Sequence, residues 1–149
     1  MAVKDTTKKP YIEDRDENVF IGIDLPFHRS SGRDGWFAST TTTIDAVKNN
    51  IRNLLNTHQG ERLMQPSLGI NLRKYLFQQV NDDVTYQIQT DIIEVFRVWL
   101  PFVNIVDIKT SMSEVKDAIG NHTLKISIDF NIKQDPNTLE SVNIEIIGE

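Results

Sequence analysis

Histidine, carboxylate and serine side chains are the groups in this 149-residue chain whose chemistry could support catalysis. His28, His58 and His122 lie far apart, share no helical register and have no carboxylate at a ligand spacing, so no metal site is expected. Cysteine is absent, which removes thiolate ligands, a cysteine nucleophile and a disulfide framework together. Phosphate loops, glycine-rich dinucleotide patterns and nucleophile elbows do not occur, and no cofactor is expected. Hydrolysis of a glycosidic bond needs only two carboxylates across a cleft, and Glu61 is the candidate acid for it. The other reading of Glu61, beside Arg62 just past a helix end, is an ion pair or a contact with a partner.

The formal charge of −5 and the absence of any Lys/Arg cluster beyond Lys8-Lys9 argue against binding nucleic acid. No apolar run approaches the roughly 20 residues that a membrane span needs. The start MAVKDTTKKP lacks the apolar core of a signal peptide. The expectation is a soluble protein without membrane contact that stays in the compartment where it is made. A chain of this length buries about 70% of its unfolded surface as one domain, without metal or disulfide staples.

Residues 1–42 read as an extended or partly disordered N-terminal arm, and residues 43–149 as the folded domain. The first 18 residues are polar, with apolar side chains too scattered to offset the entropy of ordering. From Val19 to Thr42 apolar clusters flank the turn-rich stretch HRSSGRDG without a clear period. Phe20, Phe27, Trp36 and Phe37 in this segment either cover the domain's own core or form a docking surface.

Regular structure begins at Thr43, where Ile44, Val47, Ile51, Leu54 and Leu55 make one helical stripe that runs to about Thr57. Thr42 and Asp45 resemble a capping box, and Gly60 suits the left-handed position past the helix end. A short amphipathic turn follows at Leu72 to Phe77, with Leu72, Leu76 and Phe77 as its inward side. A second helix starts at the cap Asn81, carries Val84, Ile88, Ile92, Val95, Phe96 and Trp99 on one stripe, and stops before Pro101.

Beyond Pro101 the period changes to two. In HTLKISIDFNIK, Leu124, Ile126, Ile128, Phe130 and Ile132 alternate with polar residues; DPNT reads as a turn, and Val142, Ile144 and Ile146 continue the alternation. The fold class is therefore α+β: two main helices and a short helical turn packed on a C-terminal three-stranded antiparallel meander. Such a meander leaves the first strand, near Val103 to Met112, and the last, near Leu139 to Ile147, as open edges. The last has only Glu140 and Glu145 to blunt it.

The segment LLNTHQGERLMQPSLGINLRKYLF carries a more specific signal. Leu54, Leu55, Thr57, Gly60, Glu61, Arg62, Met64, Pro66, Gly69, Leu72, Leu76 and Phe77 follow a helix in the order and spacing of the contractile-tail baseplate wedge family. The chain resembles that family, the lysozyme-like wedge and sheath-initiator proteins of T-even-like myophages and their type VI secretion relatives, over about Thr42 to Ile147. FIGIDLPFHRSSGRDGWFAST resembles the arm of such proteins from phages of marine bacteria.

The resemblance implies a non-enzymatic virion protein of the tail baseplate, made in the host cytoplasm. It would dock on the helical bundle of the wedge heterotrimer and offer its sheet to tail sheath subunits. It implies wedge docking through Gly60, Glu61, Arg62, Pro66, Gly69, Trp99, Leu100, Pro101 and Phe102. It implies a sheath-contact edge at Leu139, Val142, Asn143, Ile144, Glu145 and Ile146. Where the family has Glu-Pro-Arg, this chain has Leu100-Pro101-Phe102, so an apolar contact through Trp99, Leu100 and Phe102 replaces charged anchoring. The Gly60–Gly69 loop is expected at the same end of the domain as Pro101. It either docks, with Arg62 reaching helix-end carbonyls or a partner carboxylate, or merely holds the turn at Leu72 to Phe77 on the core. A peptidoglycan-degrading muramidase-like enzyme and the equivalent component of a type VI secretion or tailocin baseplate are the alternatives.

Overall fold

A computed structural model describes residues 19–29, 36–78, 81–113 and 123–147. The expected arm before Val19 and His122 lie outside the described residues. The chain divides into two compact units, Met1–Ile51 and Arg52–Glu149.

In the first unit, β1 (Gly22–Ile23) pairs antiparallel with β2 (Ser39–Thr40), and α1 (Thr43–Asn56) begins. The segment read from sequence as aperiodic is thus a hairpin, extended by Asp24 N–H to Ala38 O (2.9 Å), Ala38 N–H to His28 O (3.1 Å) and a bridge between Arg29 and Phe37. Strands of two residues are too short to show an alternating pattern. Asn49, buried on α1, fastens the hairpin: its Nδ2 donates to Ile23 O (3.3 Å) and Asp24 Oδ1 (3.1 Å). One half of the expected capping box forms, with Asp45 N–H on Thr42 Oγ1 (3.3 Å), while the Asp45 carboxylate accepts the Thr42 hydroxyl.

The second unit holds the end of α1, a 3-10 turn (Leu72–Tyr75), α2 (Asp82–Trp99) and the meander β3 (Val103–Ser113), β4 (Thr123–Ile132) and β5 (Asp135–Ile147), in spatial order β3-β4-β5. Asn81 caps α2 by accepting Val84 N–H at 2.8 Å. Val84, Ile88, Ile92 and Phe96 of α2 are buried, as are Leu124, Ile126, Ile128, Phe130 and Ile132 of β4. Each such side chain contributes about 1.5–3 kcal/mol of burial, so the inner face of the sheet and the buried stripe of α2 both contribute substantially to stability. The opposite face is polar and cross-linked by ion pairs, Lys125 to Glu145 (3.4 Å) and Lys109 to Asp107 and Asp129 (3.3 Å each).

Two readings are corrected. The β4–β5 turn is Lys133-Gln134, and DPNT lies within β5 itself, where the register shifts between Phe130↔Glu140 and Ile132↔Asp135. Pro136 has no N–H for a ladder, and its carbonyl instead accepts Asn131 Nδ2 at 3.2 Å. Phe77 points outward at 74% exposure, and Tyr75 takes the inward position beside Leu72 and Leu76. The three residues per turn of a 3-10 helix place 72 and 75 on one line, which a helical period of 3.6 does not.

Candidate docking surfaces

The loop between α1 and the 3-10 turn closes on itself. Ile70 N–H donates to Thr57 O (2.9 Å) and Gly60 N–H to Pro66 O (2.8 Å), so the ends of the loop meet and its middle is braced. Gly60 (φ 92°) and Gly69 (φ 103°) both occupy left-handed backbone. At Gly69 a Cβ would stand 2.2 Å from Thr57 O, so only glycine permits this closure. Arg62 Nη2 donates to Asn53 Oδ1 (3.0 Å), tying the loop to the last turn of α1. The carboxylate of Glu61 accepts His58 N–H (3.0 Å), a bond that closes the turn.

At the tip, Gln65 N–H donates to Arg62 O (3.2 Å), which makes Leu63 and Met64 the central pair of a β-turn. They are 97% and 94% exposed, the highest values among the large apolar residues described. Sequence reasoning gave Met64 to the family pattern but assigned neither side chain a contact. The available signal was an apolar pair inside a turn, with no neighbour at helical or strand spacing to bury it.

Trp99 is half-buried, Pro101 and Phe102 are exposed, and Leu100 is 7% exposed. Leu100 therefore packs in the core, while Pro101 and Phe102 face solvent. Lys133 N–H donates to Phe102 O (3.0 Å), so this corner adjoins the β4–β5 turn. The loop base is elsewhere: His58 and Arg73 line a cleft of about 250 Å³ with Glu145, Ile146 and Ile147. Ile147 pairs with Thr123 and Val103 with Ile132, at opposite ends of β4. At roughly 3.4 Å per residue these ends are about 30 Å apart. The loop and the Pro101 corner are two surfaces, not one.

Of the two outer strands, β3 is the more obstructed. Val106 is an extra residue between the pairs Ile105↔Phe130 and Asp107↔Asp129, a bulge that bends the edge. Gln89 Nε2 of α2 donates to Ile108 O (2.9 Å), and α2 and β3 flank a groove of about 550 Å³. In β5 the pairing runs without interruption from Glu140 to Ile147. Val142, Ile144 and Ile146 point into the core and Asn143 and Glu145 outward, so this edge offers its backbone; Leu139, 60% exposed, sits in the irregular stretch before it.

Among the described residues no group of three or more His, Asp or Glu could hold a metal ion, and no helix is long and apolar enough to cross a membrane. Among the described residues, Leu63 and Met64 stand exposed on a braced loop and β5 has no strand paired along its outer edge. The family model of the baseplate wedge protein gp25 matches residues 41–137, and the chain belongs to that family. No curated protein matches at a significant level. Solved structures share the fold. A protein described as a tail lysozyme from Geobacter sulfurreducens is 22% identical, with a TM-score of 0.56 over 70% of this chain and 90% of its own. A chain of the anti-feeding prophage baseplate is 20% identical (TM-score 0.54, 83% and 81%). A chain of the type VI secretion system baseplate complex is 15% identical (TM-score 0.55, 71% and 93%).

Proposed function

We propose that this chain is a non-enzymatic wedge component of a contractile-tail baseplate, resident in the virion tail after synthesis in the host cytoplasm. It docks on the wedge heterotrimer bundle and starts the tail sheath by accepting a strand. The observation that carries the docking reading is the closed loop that holds Leu63 and Met64 in solvent. A tip already fixed in shape loses little entropy when a partner covers it. Arg62, Pro66 and the two loop glycines support this tip, and Trp99, Pro101 and Phe102 form a second docking corner at the other end of the sheet. A strand added along β5 satisfies a row of backbone groups, which fixes the register of the first sheath ring.

The same physics serves a type VI secretion or tailocin baseplate, and neighbouring genes separate these settings. The muramidase reading draws on the name of the Geobacter protein. A glycosidase needs a carboxylic acid held protonated beside a cleft. Glu61 is exposed and accepts a backbone N–H in a turn, and Asp91 is held below the usual carboxylate range.

Amide hydrogen exchange with the neighbouring sheath protein tests strand addition. Alternate amides between Glu140 and Ile147 become protected when sheath is present, and negative-stain images show sheaths starting at complexes that contain this chain. Sheath assembly that proceeds equally without the chain, with β5 exchange unchanged, would overturn the initiator role.

A further inference from the structure

The described residues of the hairpin, 19–29 and 36–40, carry exposed apolar surface. Phe27, Trp36 and Phe37 are 67%, 74% and 57% exposed. They are contiguous: the Phe27 and Phe37 rings pack at 5.7 Å, Arg29 bridges to Phe37 across the hairpin, and the Arg29 guanidinium lies 4.8 Å over the Trp36 ring. At roughly 150–250 Å² for a whole aromatic side chain, the exposed part amounts to about 400 Å². That is the size of the functional patches of monomers and about half of what one partner contributes to a standard interface.

The patch is held in place rather than loosely hung. Asn49 fixes Ile23 and Asp24 to α1, and a Cβ at Gly22 would meet Thr40 Oγ1 at 3.1 Å and Ala46 Cβ at 3.5 Å, so backbone and helix are in close contact. The family match starts at residue 41, so the hairpin lies outside the stretch that the family model covers.

We infer that this hairpin is a further docking element, and that its occupant is another protein of the same assembly with an apolar surface and a carboxylate set opposite Arg29. Trp, Phe and Arg together are the composition of interface hot spots, where desolvated aromatic anchors surround a charged contact. Among the described residues no carboxylate pairs with Arg29. Asp24, the hairpin's own described acid, is engaged by Asn49, by Leu25 N–H (2.9 Å) and by His28 (3.8 Å). Among the described residues of the hairpin a second copy would bring Arg29 no free acid, which favours a different chain. The net charge of −5 disfavours an anionic lipid or nucleic-acid surface.

This inference rests on the baseplate reading. Its test is hydroxyl-radical footprinting of the full chain, alone and in wedge complexes reconstituted with the neighbouring tail proteins. Oxidation of Phe27, Trp36 and Phe37 falls about tenfold on incorporation, and Arg29→Glu and Trp36→Ser each weaken incorporation about tenfold without lowering the melting temperature of the free chain. A chain that enters the complex with these rings oxidised as before overturns the inference alone. A chain that never enters overturns the baseplate docking reading and this inference with it. Protection that grows with the concentration of the isolated chain assigns the patch to a second copy and overturns the heterologous partner.

Discussion

The Tyr75 hydroxyl donates to Asp91 Oδ2 at 2.7 Å, and Lys74 Nζ approaches the same oxygen at 2.8 Å. One carboxylate thus joins the 3-10 turn to α2. Burial pushes the Asp91 carboxyl up, but the hydrogen bonds from Lys74 and Tyr75 and the Lys74 charge together outweigh it and hold it below its ordinary value of 3.8. The bond to Asp91 holds Lys74 above 10.5. A depressed carboxylate stabilises the fold fully above its unfolded pKa and loses that contribution as pH falls through the lower folded value; the raised lysine loses its share only above 10.5. The stability difference between the native chain and Asp91→Asn is therefore constant from about pH 5 to 9 and shrinks below about pH 4. Tyr75→Phe costs about 1.5 kcal/mol at neutral pH. Urea melts across pH check both, and a difference that widens in acid would refute the linkage.

The two loop glycines differ in what surrounds them. Gly60 has nothing within 4 Å of an added Cβ, while at Gly69 the Thr57 carbonyl stands at 2.2 Å. Gly60→Ala loses about 1–2 kcal/mol from the left-handed conformation alone. Gly69→Ala adds a backbone clash and loses more, about 3 kcal/mol, because Ile70 cannot keep its bond to Thr57. Equal losses in chemical denaturation would mean that the loop closes by another route.

The elements that were legible in the sequence are those whose burial repeats. β4 alternates over its whole length because one face is buried and the other meets water, and Asn81 and Thr42 are legible because a helix start needs an acceptor there. What was not legible depends on single residues. The hairpin of β1 and β2 is too short for a period, Val106 is one inserted residue, and Pro136 displaces the β4–β5 turn without altering the composition of the stretch. The residues of the candidate docking loop were legible as backbone requirements, Gly60, Gly69 and Pro66, but not as surface. Leu63 and Met64 look like any apolar pair until the turn is seen to leave them no neighbour. The distance between the loop and Pro101 follows from strand register, which local spacing does not encode.

Leu63 and Met64 offer a clean separation of folding from docking. Exposed side chains far from caps, strain and core change stability by no more than about 0.5 kcal/mol. The double variant Leu63→Ser, Met64→Ser therefore melts like the native chain and enters wedge complexes at least about tenfold less well, as loss of a central apolar anchor predicts. Arg62→Ala also docks less well and costs little stability, since its bond to Asn53 is exposed. Size-exclusion titration against the wedge proteins measures the first effect and thermal melting the second. A fall in melting temperature with undiminished docking would give the loop a purely internal role.

Asn49 governs whether the hairpin is part of the folded unit. Asn49 is 4% exposed and its amide donates to both Ile23 O and Asp24 Oδ1, so removal leaves partly buried acceptors short of a donor. Such a loss costs about 1–3 kcal/mol. Much of that cost falls on the attachment of the hairpin to α1, because β1 and β2 are too short to hold by themselves. In Asn49→Ala the bonds Ile21 N–H to Thr40 O and Asp24 N–H to Ala38 O exchange earlier than the rest of the chain, and limited proteolysis cuts first between residues 19 and 40. The amides of β4 keep their protection, because they answer to the inner face of the sheet. Simultaneous loss of protection in the hairpin and in β4 would show that the two units unfold as one.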